Sequence, residues 1–280
     1  MTVPFENDTG NIVRKLARKS LKSEKRRNLM VVIAVALASC LICFSIVMAL
    51  STRQIEKNHV EDTYEAVYTR ITEEDVSTLK GLDDFSRVGE YYMLAVEPAE
   101  QGYNASYIYC DEETMYIARD QMKLLEGRLP QKEDEVVVSR YFLSNYGADA
   151  GIGEKVMLSS ESFHGEYTVT GIMEGYKEKE VNGSSILLSK EALKGWSGYD
   201  PADYRAYVHF KNEQQMDETE LTARSREIAK EYQLEMPIMN LSYMKFYKQP
   251  VNVSMLALVA GIAVLVIIGG YVAFSYTHLT

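Results

Sequence analysis

The sequence predicts an α+β extracytoplasmic domain carried between two transmembrane helices and joined to them by helical stalks. Three observations predict it. The 280-residue chain holds two stretches with no Asp, Glu, Lys or Arg, residues 28–52 and 249–280. Each encloses an apolar run, LMVVIAVALASCLICFSIVMAL over 29–50 and MLALVAGIAVLVIIGGYVAF over 255–274. About 20 apolar residues at about 1.5 Å rise each cross a hydrocarbon core of roughly 30 Å, so both runs are long enough to span. Charge divides at the same places: the first 50 residues carry a net +5, and residues 51–252 a net −15. Between the spans, short runs rich in Val, Ile and Tyr alternate with short amphipathic segments, the pattern of a mixed α+β domain.

Eight basic residues crowd before the first apolar run: Arg14, Lys15, Arg18, Lys19, Lys22, Lys25, Arg26 and Arg27. Flanks rich in Lys and Arg are retained in the cytoplasm. Residues 1–28 are therefore expected inside, 29–50 as the first span, 51–252 outside, 253–276 as the second span and 277–280 as a tail. In NIVRKLARKSLKSEKRRN, Ile12, Leu16 and Leu21 recur among the basic residues at roughly helical spacing. Such a segment suits the surface of an anionic inner leaflet, although a plain topology signal accounts for the same charges.

Other readings of the first run fit less well. A cleaved signal peptide has an apolar region of about 7–15 residues, and this one is longer. Leu37-Ala38-Ser39-Cys40 resembles a lipobox, yet LICFSIVMAL continues the apolar run where a lipoprotein turns polar. A buried soluble helix leaves the basic cluster without a purpose. Cys40 and Cys43 lie within the span and suit packing as small apolar side chains. Cys110 is the one cysteine outside, so the outer domain has no internal disulfide and must be held by its core.

In chain order, STRQIEKNHVEDTYEAVYTRIT continues the first span as a stalk and turns to strand near Tyr64. EEDVSTLKGL reads as a helix closing at Gly81, and SRVGEYYMLAVE and ASYIYC read as strands. DEVVVS is a strand, followed by RYFLSNYG, a short helix ended by Gly147. EKVMLSS and GEYTVTGIME read as paired strands with a turn near Phe163 to Gly165. SSILLS and ADYRAYVHF add strands, DETELTARSREIAKEY a helix, and a second stalk begins at Asn240. Tyr243, Phe246 and Tyr247 before the second span, with Tyr271 and Tyr276 at its far end, take interfacial aromatic positions.

Chemistry-bearing motifs are scarce. There is no G-x-x-x-x-G-K-[ST], no H-E-x-x-H and no G-x-S-x-G. Gly151-Ile-Gly153 lacks the third glycine of a dinucleotide fingerprint and reads as a turn. The acidic clusters Glu73-Glu74-Asp75, Asp111-Glu112-Glu113 and Glu133-Asp134-Glu135 match no calcium loop and read as solvated edges or helix N-termini. No catalytic residue, cofactor, metal or nucleic-acid partner is expected. Eighteen of the 20 tyrosines lie between the spans. They fit either an amphipathic binding surface or, better, strand residues with wet tips. Small residues four apart in the spans, Ala34 and Ala38, Ala257 and Gly261, Gly269 and Ala273, would let helices pack closely in lipid.

The run EGRLPQKEDEVVVSRYFLSNYGADAGIGEKVMLSS…EYTVTGIME resembles the periplasmic core domain of FtsX-like/MacB-like ABC transporter permeases. The matching positions are the turn residues Gly127, Arg128 and Pro130, the strand from Glu135 to Ser139, then Gly153, Lys155 and Val156, and finally Tyr167, Val169, Gly171 and Ile172. The resemblance covers essentially the whole chain, basic segment and spans included. It implies a permease subunit in a bacterial cell membrane, paired with a second permease subunit and driven by a separate cytoplasmic ATPase. The outer domain would handle peptides, lipids or a partner protein by mechanical transmission, and ATP hydrolysis would lie in the partner. Such permeases have at least four spans, so the chain is expected to be the N-terminal part of a longer one. Its last residues, SYTHLT (275–280), look like translated sequencing-adapter sequence. A two-span receptor with an outer sensory domain and a self-contained anchored binding protein are the competing readings.

Overall fold

The computed structural model describes residues 9–23, 25–99, 102–119, 121–145, 150–175, 178–248, 261–263, 265, 266, 269 and 270. They divide into two compact units, one of residues 56–250, the other of 1–55 with 251–280.

Helix α1 (Thr9–Ser23) falls in the second of these, and so does α2 (Lys25–Val60) except for its residues 56–60, which belong to the first. No Gly or Pro interrupts the 36 residues of α2, so nothing breaks its backbone ladder. On α1, Ile12, Val13 and Leu16 are exposed alongside Arg14, Lys15 and Lys19, and Lys25 is exposed at the start of α2. The side chains of Arg18, Lys22, Arg26 and Arg27 lie outside the described residues, as do those of Met30, Val31, Ala34, Val35 and Ala38 within the first apolar run. Among the described residues, no helix is long and apolar enough to cross a membrane. Of the second apolar run, 261–263, 265, 266, 269 and 270 are helical. A β-carbon at Gly261 or Gly269 would meet no neighbour among the described residues. Ala257 and Ala273 lie outside them, as do Tyr271, Tyr276 and the tail.

The 56–250 unit is built on one mixed sheet, met in chain order as β1 (Ala66–Ile71), α3 (Glu73–Lys80), β2 (Phe85–Pro98), β3 (Asn104–Cys110), α4 (Glu112–Ile117), β4 (Met122–Gly127), β5 (Glu135–Ser139), α5 (Arg140–Asn145), β6 (Lys155–Ser159), β7 (His164–Gly175), α6 (Glu178–Val181), β8 (Gly183–Leu188), α7 (Lys190–Gly195), β9 (Tyr204–Phe210), α8 (Glu218–Glu231), β10 (Ile238–Met239) and α9 (Leu241–Tyr243). A π-helical turn, Met244–Lys248, follows. Strand order is β10-β1-β9-β2-β3-β8-β5-β7-β4, with β6 pairing the first half of β7 and β4 its second half. The expected β6–β7 pair forms, and its turn closes where Ser160 N–H donates to the Phe163 carbonyl at 3.0 Å.

Both faces of the sheet are covered, which explains the uninterrupted valines of β5. Val136 and Val138 join one core cluster with Tyr68, Tyr107, Phe142 and Leu193, while Val137 points to the other with Cys110, Ile117 and Met173. Alternate strand residues face opposite sides, so a strand buried on both faces needs no polar alternation. Helix starts follow local chemistry. Thr72 and Asp217 make capping boxes with Asp75 and Glu220, and Asp111, Ser189 and Asn240 cap their helices by accepting main-chain N–H bonds. Two acidic clusters thus mark the starts of α3 and α4, as expected.

Five of the tyrosines are core residues, and for these the expectation of wet tips needs correcting. Tyr68, Tyr92, Tyr103, Tyr107 and Tyr204 are fully buried. Tyr68 donates to the Ser225 carbonyl at 2.9 Å, Ser160 Oγ donates to Tyr107 at 2.8 Å, and the Tyr199 and Tyr204 hydroxyls meet at 3.2 Å. A buried hydroxyl must find a partner, and here protein atoms replace water. Burial pushes the Tyr107 phenol up to about 12.

Candidate functional site

Two segments of the 56–250 unit are continuous along the chain with the apolar runs, one leaving α2 and one ending at Lys248. They meet at the β1 edge. Helix α2 ends at Val60, and Asp62 adopts a left-handed conformation (φ 52°) that turns the chain out of the helix. Thr63, fully buried, donates its hydroxyl to the Val60 carbonyl at 2.9 Å. Arg119 binds the Glu61 carbonyl and approaches Asp62 at 3.8 Å, and Gln121 binds the Tyr64 hydroxyl.

Glu65 comes next and is completely buried. Its carboxylate accepts from the Phe210 main-chain N–H at 2.7 Å and faces His209 Nδ1 at 2.7 Å. Burial raises the Glu65 carboxyl, and the His209 and Phe210 contacts reverse only part of that. Burial also pulls His209 down, but the hydrogen bond and charge of Glu65 outweigh it, so His209 lies above its ordinary value. Asn240 then closes the junction. Its main-chain N–H donates to the Glu65 carbonyl at 2.8 Å and its side-chain amide to the Tyr64 carbonyl at 2.9 Å, while its Oδ1 accepts from the N–H groups of Ser242 and Tyr243. One residue thus caps the start of the outgoing segment and binds the incoming one.

The positions marked by the family resemblance form a second constellation on the other half of the sheet. Gly127 ends β4 at φ +82° and stands in register with Gly171 of β7. Arg128 holds Glu135 in a two-pronged pair at 2.8 and 2.7 Å, and the Gln131 N–H adds a third bond at 2.9 Å. The Arg128 guanidinium holds the Glu135 carboxyl down to about 2. Pro130 is buried in the turn between them, and Gly153 (φ +90°) donates its N–H to the Val169 carbonyl at 2.8 Å. These residues fasten β4, β5 and β7 together. The basic residues of 14–27 and the small residues of 257–273 belong to the other unit.

Sequence reasoning missed Glu65, His209 and Asn240. An Asn ahead of LSY is a readable helix start, but nothing local marks Glu65 as buried in front of AVYTRI. Among the described residues, no group of His, Cys, Asp or Glu could hold a metal ion.

The family that matches is the MacB-like periplasmic core domain, over residues 29–226. No curated protein matches the chain. Among solved structures, the chain is similar to the extracellular domain of the noncanonic ABC-type transporter YknZ from Gram-positive bacteria, at 15% identity over 64% of this chain and 100% of that one, with a TM-score of 0.45. It is also similar to the periplasmic region of MacB from Actinobacillus actinomycetemcomitans, at 11% identity over 66% of this chain and 92% of that one, with a TM-score of 0.45. With the family match spanning residues 29–226 of 280, the chain belongs to the MacB-like periplasmic core domain family of ABC transporter permeases.

Proposed function

We propose that this chain acts as a permease subunit that passes mechanical motion between a separate cytoplasmic ATPase and an extracytoplasmic domain. Residues 29–50 and 253–276 cross the cell membrane, the N-terminus lies in the cytoplasm, and residues 51–252 lie outside. A second permease subunit, identical or related, completes the transporter, and ATP is hydrolysed in the partner. The outer domain engages peptides, lipids or a partner protein. One observation carries this reading: Asn240 ties the segment leaving α2 to the segment leading to residue 249 through two hydrogen bonds to Glu65 and Tyr64. Displacement of either segment therefore loads β1, and through the Glu65–Val208 bond (2.9 Å) also β9. Buried hydrogen bonds are costly to leave unmade, about 1–3 kcal/mol each, so the junction resists slipping.

The test is affinity purification of the tagged full-length protein from its host, followed by reconstitution in nanodiscs. A P-loop ATPase should co-purify, and Asn240→Ala should lower the hydrolysis that the permease stimulates while leaving the complex assembled. Recovery of a signalling kinase, or of a complex whose hydrolysis ignores Asn240→Ala, would overturn the proposal.

A further inference from the structure

Charge is distributed unevenly within the outer unit. All 37 Asp and Glu residues of 51–252 fall at or before Glu235, and from Met236 to the end of the chain there is none. Where the acids stop, large apolar side chains come to the surface: Met236 is 55% exposed, Ile238 61%, Leu241 70% and Tyr247 40%. Lys245 is exposed among them.

This is a held segment. Met239 and Phe246 pack against the core, Tyr243 and Met244 are buried, β10 pairs with β1, and Asn240 makes the bonds described above. The exposed residues alternate with anchored ones, so the fold itself presents them to the outside. Large aliphatic side chains, a tyrosine and a lysine make up the composition of a membrane–water interface, where tyrosine sits at headgroup level and lysine reaches the phosphates. Chain continuity sets the reach: Leu241 lies ten residues before Val251, at most about 35 Å along the chain.

We infer that the surface formed by Met236, Ile238, Leu241, Lys245 and Tyr247 rests on the outer face of the lipid bilayer and seats the stalk junction there. The inference depends on residues 253–276 being a span, as proposed above. Its occupant is lipid, not a second copy of the chain or another protein.

Single tryptophans test this in full-length protein reconstituted in nanodiscs. Trp196 is the one native tryptophan, and Trp196→Phe gives a silent background. Into it go Leu241→Trp or Ile238→Trp at the patch, Val96→Trp at an exposed position elsewhere in the unit, and Leu265→Trp in the second apolar run. With brominated lipid, emission from Leu241→Trp and Ile238→Trp should shift to the blue and lose intensity, while Val96→Trp stays unquenched. Adding Lys245→Glu should weaken the quenching more in anionic than in zwitterionic lipid. If Leu265→Trp is quenched but both patch positions behave like Val96→Trp, the inference fails and the span survives. Blue-shifted, unquenched emission at the patch would mean that protein covers it, which also overturns the inference. An unquenched Leu265→Trp would remove the span and the inference together.

Discussion

Gly127 and Gly171 stand opposite each other across the β4–β7 pairing, and neither has room for a β-carbon. A β-carbon on Gly127 would fall onto the Thr170 carbonyl oxygen and within 2.7 Å of the Gly171 Cα, and one on Gly171 would lie 2.8 Å from the Arg128 carbonyl oxygen. The two backbones touch directly, and β-ladder geometry permits that only without side chains.

Gly127→Ala combines a left-handed conformation with this clash, whereas Gly153→Ala meets the conformational cost alone, since nothing lies within 4 Å of a β-carbon there. Urea unfolding of the purified chain should show a loss of about 2–4 kcal/mol for Gly127→Ala. For Gly153→Ala the loss should be about 1 kcal/mol. Equal losses would mean that close approach does not decide the role of Gly127.

Arg128 makes the depressed Glu135 carboxyl a source of acid sensitivity. A carboxylate whose folded pKa lies below its unfolded value stabilises the fold fully above about 4.5, and that contribution disappears as pH falls toward about 2. Glu135→Gln should therefore flatten the acid limb of a melting-temperature profile between those values. Arg128→Lys, which cannot reproduce the two-pronged geometry, should lower stability at neutral pH and shift the acid limb upward.

The Glu65–His209 pair predicts the opposite slope. Both groups hold protons more tightly in the folded chain. A raised histidine stabilises the fold fully below its ordinary value of 6.5 and loses that contribution as pH climbs through the folded value, and a raised carboxyl acts in the same sense from 4.5 upward. Stability should decline on the alkaline side. His209→Gln should flatten the decline above pH 6.5. His209→Ala should cost about 3 kcal/mol at neutral pH, because it leaves a buried carboxylate unpaired, and less as pH falls and Glu65, whose carboxyl burial raises, takes up a proton.

Cys110 is buried, and burial pushes its thiol far above the ordinary range. In a Cys40→Ser, Cys43→Ser background it should resist maleimide until the domain opens, so its labelling rate will follow unfolding. Rapid labelling of the folded protein would contradict the packing of the cluster around Ile117 and Met122.

Where information is local, the sequence by itself determined the outcome. Apolar length and charge patterning marked the two runs and the helix through Val60. The apolar stretches DEVVVS and SSILLS became β5 and β8, Thr72 with Asp75 began α3, and Asp217 with Glu220 began α8. The G-R-x-P turn and its two distant glycines were legible as a family pattern. That Gly127 faces Gly171, and that Arg128 grips Glu135, emerged only once β4, β5 and β7 lay side by side. Some short elements escaped the sequence altogether: α7, β4 and β10 run two to six residues, too few to show a period. Tertiary structure alone decided which polar groups went inside. Glu65 reads like any other acid of an acidic domain, and only the arrival of His209, 144 residues later, and Asn240, 175 residues later, makes its burial affordable. Burial of a charge depends on partners in space, and a linear pattern does not encode their distance.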